Sequence, residues 1–260
     1  MQSFVPFIKH FFTQNNIGFQ YLNEGFDIIE TETFDIWYFP MGFKIENYPK
    51  KTSEKLSLNI WEDQWISKPE IVMSRIKAQL GLLFSLPARV CKIMRIDKPQ
   101  SDAFLAENHL QGVVSAKFKY GLFLPQNYFR LLPQGFTLPE SDLLVGVLTV
   151  SQARKIYVGD TFKNSYEIVR FASLRDFQVK GAFSKLLKFF MLDKSPENLM
   201  TYVDKDWSTG ANFYKMGFEL KETLPQIFFD LNESGKRVKV EKNEGYRVFN
   251  TGSFKFVKDV

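Results

Sequence analysis

The chain has 260 residues, 45% of them apolar and 16% aromatic, with 34 Lys and Arg against 29 Asp and Glu for a net charge of +5. Length and apolar share suffice for one large or two small cored domains and exclude a disordered chain. The single cysteine, Cys91, excludes an internal disulfide framework and a cysteine zinc site and points to a reducing compartment. No apolar run reaches the ~20 residues of a membrane helix, and the Phe-rich start lacks the basic flank and small-residue cleavage site of a leader, so a cytoplasmic chain with no membrane contact is expected. The mild basic excess admits an anionic partner and is equally ordinary for a soluble protein.

In chain order, Phe4, Phe7, Ile8, Phe11 and Phe12 share one side of a helix over 4–13. Short aromatic strands follow at 19–22, 34–39 and 42–46, separated by Gly, Pro or acidic turns. Leu56 to Trp61 predicts another strand, and Lys68-Pro69-Glu70 opens a helix with Ile71, Val72, Ile76 and Leu80 on its apolar face. Gly81, Pro87 and Arg89 mark 81–89 as a linker between a module over 1–80 and a domain over 90–260. In the latter, strands are expected at 90–96, 113–123 and 143–150, with a helix capped by Ser101 and ending about Asn108. The loop holding Pro125, Pro133, Gly135 and Pro139 is long for a hairpin. Further on, 227–229, 246–249 and 254–257 are expected to continue the sheet, with Asn250-Thr251-Gly252-Ser253 as a tight turn.

The organising stretch runs from Tyr166 to Leu220. Tyr166 to Leu174 is a central strand, and Gln178 to Ser184 leads directly into an amphipathic helix with Phe183, Leu186, Leu187 and Phe190 on one stripe. Gly181 at that start lets a ligand approach the unpaired amides, which with the helix dipole attract phosphate. A second strand over 198–203 ends at Asp204, and a short helix from Ser208 carries Asn212, Phe213 and Met216 and stops at Gly217.

This order of strand, loop, helix, strand and Tyr-bearing helix resembles the core of the GNAT family of N-acetyltransferases. The family's acyl-CoA loop reads (Gln/Arg)-x-x-Gly-x-(Gly/Ala); here Gln178-Val179-Lys180-Gly181-Ala182-Phe183 matches it in part, with Phe183 where the motif has a small residue, and Asn212 to Phe218 matches the closing helix. The resemblance implies a mixed sheet with flanking helices that splays between its central strands. It also implies acetyl-CoA or another acyl-CoA as cofactor, with Phe171, Ala172 and Ser173 on one side and Gln178, Val179, Lys180, Gly181, Ala182, Phe183, Ser184 and Lys185 as the cradle, joined by Asn212. Lys180 and Lys185 are the nearest cations, each readable equally as a solvated lysine. Tyr214 falls where the fold places a proton donor to the leaving thiolate, and reads alternatively as a core residue with a tethered hydroxyl. Asp204 is a candidate base or a helix cap; Ser208, which with it flanks Trp207, is a further catalytic candidate; His109 is a catalytic-site candidate or a turn residue. Arg170, in an otherwise apolar strand, requires an anion or a salt bridge.

Asn108-His109-Leu110-Gln111-Gly112, Arg170-Phe171, Gly181 to Leu186, Tyr202-Val203-Asp204-Lys205-Asp206-Trp207-Ser208 and Tyr214 to Phe218 together resemble a phage and mobile-element branch of this fold, akin to the Mom-type DNA-modifying proteins. That implies a nucleic-acid base amine as acceptor and DNA as partner. The N-terminal Asp35-Ile36-Trp37-Tyr38-Phe39-Pro40, Ile45-Glu46 and Trp61 to Trp65 are similar to a truncated very-short-patch-repair-like endonuclease. Asp35 and Glu46 would then be vestigial metal ligands, with no bound metal expected. The reading is an α/β protein with an N-terminal restriction-endonuclease-like module and a GNAT-like domain, acting as an N-acyltransferase. Its alternatives are a catalytically inactive DNA-docking or scaffold protein and a metal-dependent nuclease.

Overall fold

The computed structural model describes residues 3–50, 55–158 and 161–260. In chain order its elements are α1 (Phe4–Gln14), β1 (Gln20–Asn23), β2 (Asp27–Glu30), β3 (Phe34–Phe39), β4 (Leu56–Trp61), α2 (Glu62–Ser67), α3 (Pro69–Gln79), β5 (Phe84–Pro87), β6 (Lys92–Arg95), α4 (Lys98–Asn108), β7 (Phe118–Leu124), β8 (Leu143–Val150), β9 (Arg154–Val158), β10 (Thr161–Ser173), β11 (Phe177–Lys180), α5 (Ala182–Lys194), β12 (Asn198–Asp204), α6 (Ala211–Lys215), β13 (Glu219–Leu224), β14 (Phe228–Leu231), β15 (Arg237–Val240), β16 (Val248–Phe249) and β17 (Ser253–Asp259). This is a mixed α/β chain in two compact units. One comprises Met1–Val72, Val203–Ala211 and Glu222–Lys255; the other comprises Met73–Tyr202, Asn212–Lys221 and Phe256–Val260. Among the described residues no helix is long and apolar enough to cross a membrane.

In the first unit, β1, β2 and β3 are antiparallel neighbours, and β4 joins β3 in parallel, Phe34 opposite Leu56 through Phe39 opposite Trp61. Phe4, Ile8 and Phe12 of α1 are buried, Phe4 stacking on Tyr38 at 4.3 Å, as their helical spacing predicts. A three-stranded sheet of order β15-β14-β16 contributes Leu231, Val248 and Phe249 to a core with Phe26, Phe39 and Trp61. Its salt bridge is two-pronged: Arg237 Nε and an Nη reach the two Asp63 carboxylate oxygens at 2.7 and 2.8 Å, with Asp63 only 7% exposed.

Several expectations are corrected here. Residues 42–46 are no strand: Pro40-Met41-Gly42 makes a turn with Gly42 at φ 86°, and Ile45–Asn47 is a 3-10 turn. Turn chemistry outweighs the strand preference of Phe43 and Ile45. Strands 246–249 and 254–257 do not form a hairpin with each other. β16 pairs with β14, whereas β17 lies between β13 and β12. Gly252, at φ 100°, passes so near the chain that an added Cβ would stand 2.2 Å from the Leu224 carbonyl oxygen, which only glycine permits.

The larger sheet has the order β13-β17-β12-β10-β8-β7-β6, with β9 added to β10. β6, β7, β8 and β10 run antiparallel in turn, and β10 and β12 run parallel. On one face Phe190 of α5 meets Phe118, Tyr120 and Tyr166; on the other, Phe104 and Leu105 of α4 pack with Val147 and Ala172. α4 starts earlier than expected. Its cap is Asp97, whose carboxylate accepts from the Gln100 amide at 2.9 Å, while Ser101 is buried. The segment 81–89 contains β5, which pairs in parallel with β11, Phe84 opposite Phe177.

Breaking the Arg237 fork should be costly, because it leaves the Asp63 carboxylate buried without its counter-charge. Arg237→Met is expected to lower unfolding free energy by about 3 kcal/mol, measured by urea titration near neutral pH. A loss under about 1 kcal/mol, the size of a surface pair, would contradict the assignment.

Candidate functional site

The site is set by where β10 leaves its parallel neighbour. Their register runs from Ser165 opposite Asn198 to Ile168 opposite Thr201 and goes no further, although β10 continues to Ser173 and β12 to Asp204. At the parting point the Thr201 hydroxyl donates to the Ile168 carbonyl at 3.0 Å. On its other side β10 carries an irregularity against β8 between Ile168 and Arg170. Ser151 fastens it: its amide donates to the Glu167 carbonyl at 2.9 Å, and its hydroxyl accepts from the Glu167 amide at 2.9 Å. A bulge adds one residue to one strand and inverts the alternation of faces beyond it. Tyr166 and Phe171, five apart, therefore both face α5, Phe171 meeting Phe183 at 5.1 Å. Ala172 turns to the α4 side and Ser173 ends the strand. Thr201 and Ser151 were not singled out from sequence, since neither carries a motif.

Beyond the turn lies the segment expected to form the cradle. β11 alternates buried Phe177 and Val179 with exposed Gln178 and Lys180. Gly181 then enters α5 in the left-handed region at φ 81°, with no side chain capping the helix. The first in-helix bond there is Lys185 N–H to Gly181 C=O at 3.0 Å, so the amides of Ala182, Phe183 and Ser184 fall in the first turn, where α-helical geometry provides no acceptor. Lys185 itself is directed elsewhere. Its ammonium donates to the carbonyls of Ala88, Arg89 and Cys91 at 3.0, 3.3 and 2.6 Å, bolting α5 to the turn after β5. Burial pushes the neighbouring Cys91 thiol up to about 11, partly opposed by the Lys185 charge.

The first residue of the Asn-His-x-x-Gly motif supports this loop. Asn108 Oδ1 accepts from the Arg175 amide at 2.7 Å while its Nδ2 donates to Phe104 C=O at 2.8 Å, tying the end of α4 to the turn before β11. His109 caps α4 and accepts at Nδ1 from the Gln111 amide at 3.2 Å. Arg170 donates to the Val169 carbonyl at 2.8 Å. α6 begins at Ala211, three residues after Ser208. Asn212 is exposed, and Tyr214 is 52% exposed with its ring edge-on to Phe256 at 5.0 Å. Lys258 closes that short helix by donating to Met216 C=O at 2.6 Å.

Asp204 and Ser208 belong to the first unit. Asp204 accepts from the Asp206 amide at 3.0 Å and Ser208 Oγ from the Gly210 amide at 3.1 Å, both local turns. Between them sits Asp206, 1% exposed, which sequence reasoning passed over. Its Oδ1 accepts from Asn59 Nδ2 at 3.2 Å and from the Thr251 amide and hydroxyl at 3.1 and 2.7 Å, while Oδ2 is buried with no hydrogen-bond partner among the described residues. Burial, then the Asp204 charge, push this carboxyl up to about 7, against the opposing pull of Thr251 and Asn59. Asp35 pairs with Lys55 at 2.6 Å, and Glu46, away from any strand, pairs with Lys242 at 2.7 Å. Among the described residues no group of three or more His, Cys, Asp or Glu is placed to hold a metal.

No protein-family model matches the chain, and neither does any curated protein. Among solved structures, 65% of this chain is similar to 98% of a chain in the NatC complex bound to Gag peptide and CoA, at 11% identity and a TM-score of 0.38. The same share is similar to 98% of Arabidopsis thaliana NAA60 in complex with acetyl-CoA, at 15% and 0.41, and to 94% of the ribosomal-protein-S18-alanine N-acetyltransferase from Escherichia coli, at 11% and 0.38. Likeness this distant carries no argument of its own.

Asp206 supplies a pH signature. Its carboxyl keeps its proton up to about 7 when folded and only to about 4 when unfolded, so folding takes up a proton between those values. The stability it contributes is full below about 4 and is lost as pH rises through about 7. Asp206→Asn, which mimics the protonated acid, is expected to match the wild type in melting temperature near pH 4 and exceed it near pH 8; a variant less stable at both would contradict this.

Proposed function

We propose that the chain is an acyl-CoA-dependent N-acyltransferase acting on an amine. The observation that carries this is the parting of β10 and β12 beyond Ile168 and Thr201, beside a 13-residue helix entered through a left-handed glycine. Backbone amides along the unpaired edge of β10, at Phe171 and Ser173, hold an acyl carbonyl, and the Ala182 to Ser184 amides, helped by the helix dipole and the exposed Lys180, hold a diphosphate. When bound, acyl-CoA supplies an activated thioester. On transfer of the acyl group from sulfur to the acceptor nitrogen, the Tyr214 hydroxyl would give its proton to the departing sulfur and regain one from solvent, to which the nitrogen would lose its surplus proton. Lys185, committed to three carbonyls, takes no part in anion binding.

The finer reading makes the acceptor the exocyclic amine of a nucleic-acid base, supported by the Mom-type motif set and the net charge of +5. The segment 1–80, nuclease-like in sequence, then docks DNA. A second reading, a scaffold whose donor site has decayed, is favoured by the phenylalanine at 183.

Calorimetric titration with acetyl-CoA should give saturable heat by about 1 mM ligand, and Gly181→Val, which strains the left-handed entry, should abolish it. A flat trace from the wild type would contradict the reading. In a thiol-release assay Tyr214→Phe should lower kcat about 100-fold with little change in acetyl-CoA affinity, whereas equal turnover would remove Tyr214 from the chemistry. DNA nucleosides from cells expressing the chain should carry an acyl mass; unmodified nucleosides would refute the base-amine acceptor.

A further inference from the structure

We propose that Phe183 gates the donor slot: its ring closes the opening beyond Ile168, and it must swing aside before the pantetheine arm of an acyl donor can enter. This rests on the acyl-CoA reading above and concerns a residue where the sequence departs from the small side chain its motif expects. The ring of Phe183 stands edge-on to Phe171 of β10 at 5.1 Å and edge-on to Phe213 of α6 at 5.6 Å. Phe213 in turn stacks on Phe256 of β17 at 5.5 Å. In the sheet β12 lies between β10 and β17. A continuous row of rings thus runs from Phe171 at the unpaired end of β10 to β17, the far neighbour of the strand from which β10 has parted, and Phe183 is the link that joins β10 to α6.

The ring is only partly buried, as a side chain that can rotate outward must be. The bulge between Ile168 and Arg170 builds the closed state, because without that inversion of faces Phe171 would turn to the α4 side and leave Phe183 no partner on β10. Opening breaks two edge-to-face contacts. A donor therefore binds only the fraction of molecules in which the ring is out, and its apparent affinity falls by that fraction.

The test compares wild type, Phe183→Ala and Phe183→Leu by calorimetry with two probes: acetyl-CoA, and adenosine 3′-phosphate 5′-diphosphate, which carries the phosphates but no arm. Phe183→Ala is expected to bind acetyl-CoA about tenfold tighter, with Phe183→Leu between it and wild type, while affinity for the armless nucleotide stays unchanged. Equal acetyl-CoA affinity in all three would overturn the gate and leave the donor reading standing. Equal tightening of both probes would also overturn it, since the gain would then lie at the phosphates. If no protein binds acetyl-CoA although circular dichroism shows the variants folded, the donor reading fails and the gate fails with it. Should Phe183→Ala not fold, Phe183→Leu against wild type decides by the same outcomes.

Discussion

The irregularity in β10 between Ile168 and Arg170 is the constraint on which the larger sheet's candidate site depends. One extra residue costs regular pairing on the β8 side, and the Ser151 amide and hydroxyl together recover the polar groups of Glu167. On the β12 side the Thr201 hydroxyl takes over the Ile168 carbonyl where strand pairing stops. The strand is held on both sides up to Ile168; beyond it β10 stays paired with β8 through Ser173 and is released on the β12 side alone. Everything past that point follows from the release: Phe171 faces α5, Ala172 faces α4, and the β12-side edge of β10 is left without a strand partner.

The candidate cradle is held from three sides. Asn108 fixes the turn before β11, β5 fixes β11, and the Lys185 ammonium fixes α5 to the residues after β5. A partly buried cation held by three carbonyls has its charge satisfied by them, and charge-assisted bonds of this kind are the stronger class. The lysine that sequence position nominates for a phosphate therefore acts as a clamp, leaving backbone amides and Lys180 as the groups available to an anion. In the first unit Asp206 fills an analogous place: one carboxylate oxygen gathers β4 and the 250–252 segment, while the second is buried.

Elements with one dominant local signal were legible in the sequence. The phenylalanine spacing of α1, the apolar runs of β3, β4, β8 and β12, and the stop at Gly217 all stand where those residues predict. What escaped depends on partners distant in the chain. β2 is short and polar at both ends, β15 alternates Arg237 and Lys239 with valines over four residues, and β16 takes β14 as its neighbour because the 250–252 segment is anchored to Asp206, some 45 residues earlier. Lys185 and Asp206 look unremarkable as letters, and their roles come from carbonyls and donors about 45 to 150 residues away. The bulge left a faint trace, in that Tyr166 and Phe171 share a face only if the alternation slips once.

The claim that most needs a direct reading is that the unpaired end of β10 and the first turn of α5 form one donor site. Backbone amide shifts in a 15N-labelled chain titrated with acetyl-CoA read it residue by residue. The account predicts the largest shifts at Phe171 to Ser173 and at Ala182 to Ser184, saturating together with one affinity. Shifts confined to other segments, or none at millimolar ligand, would contradict it.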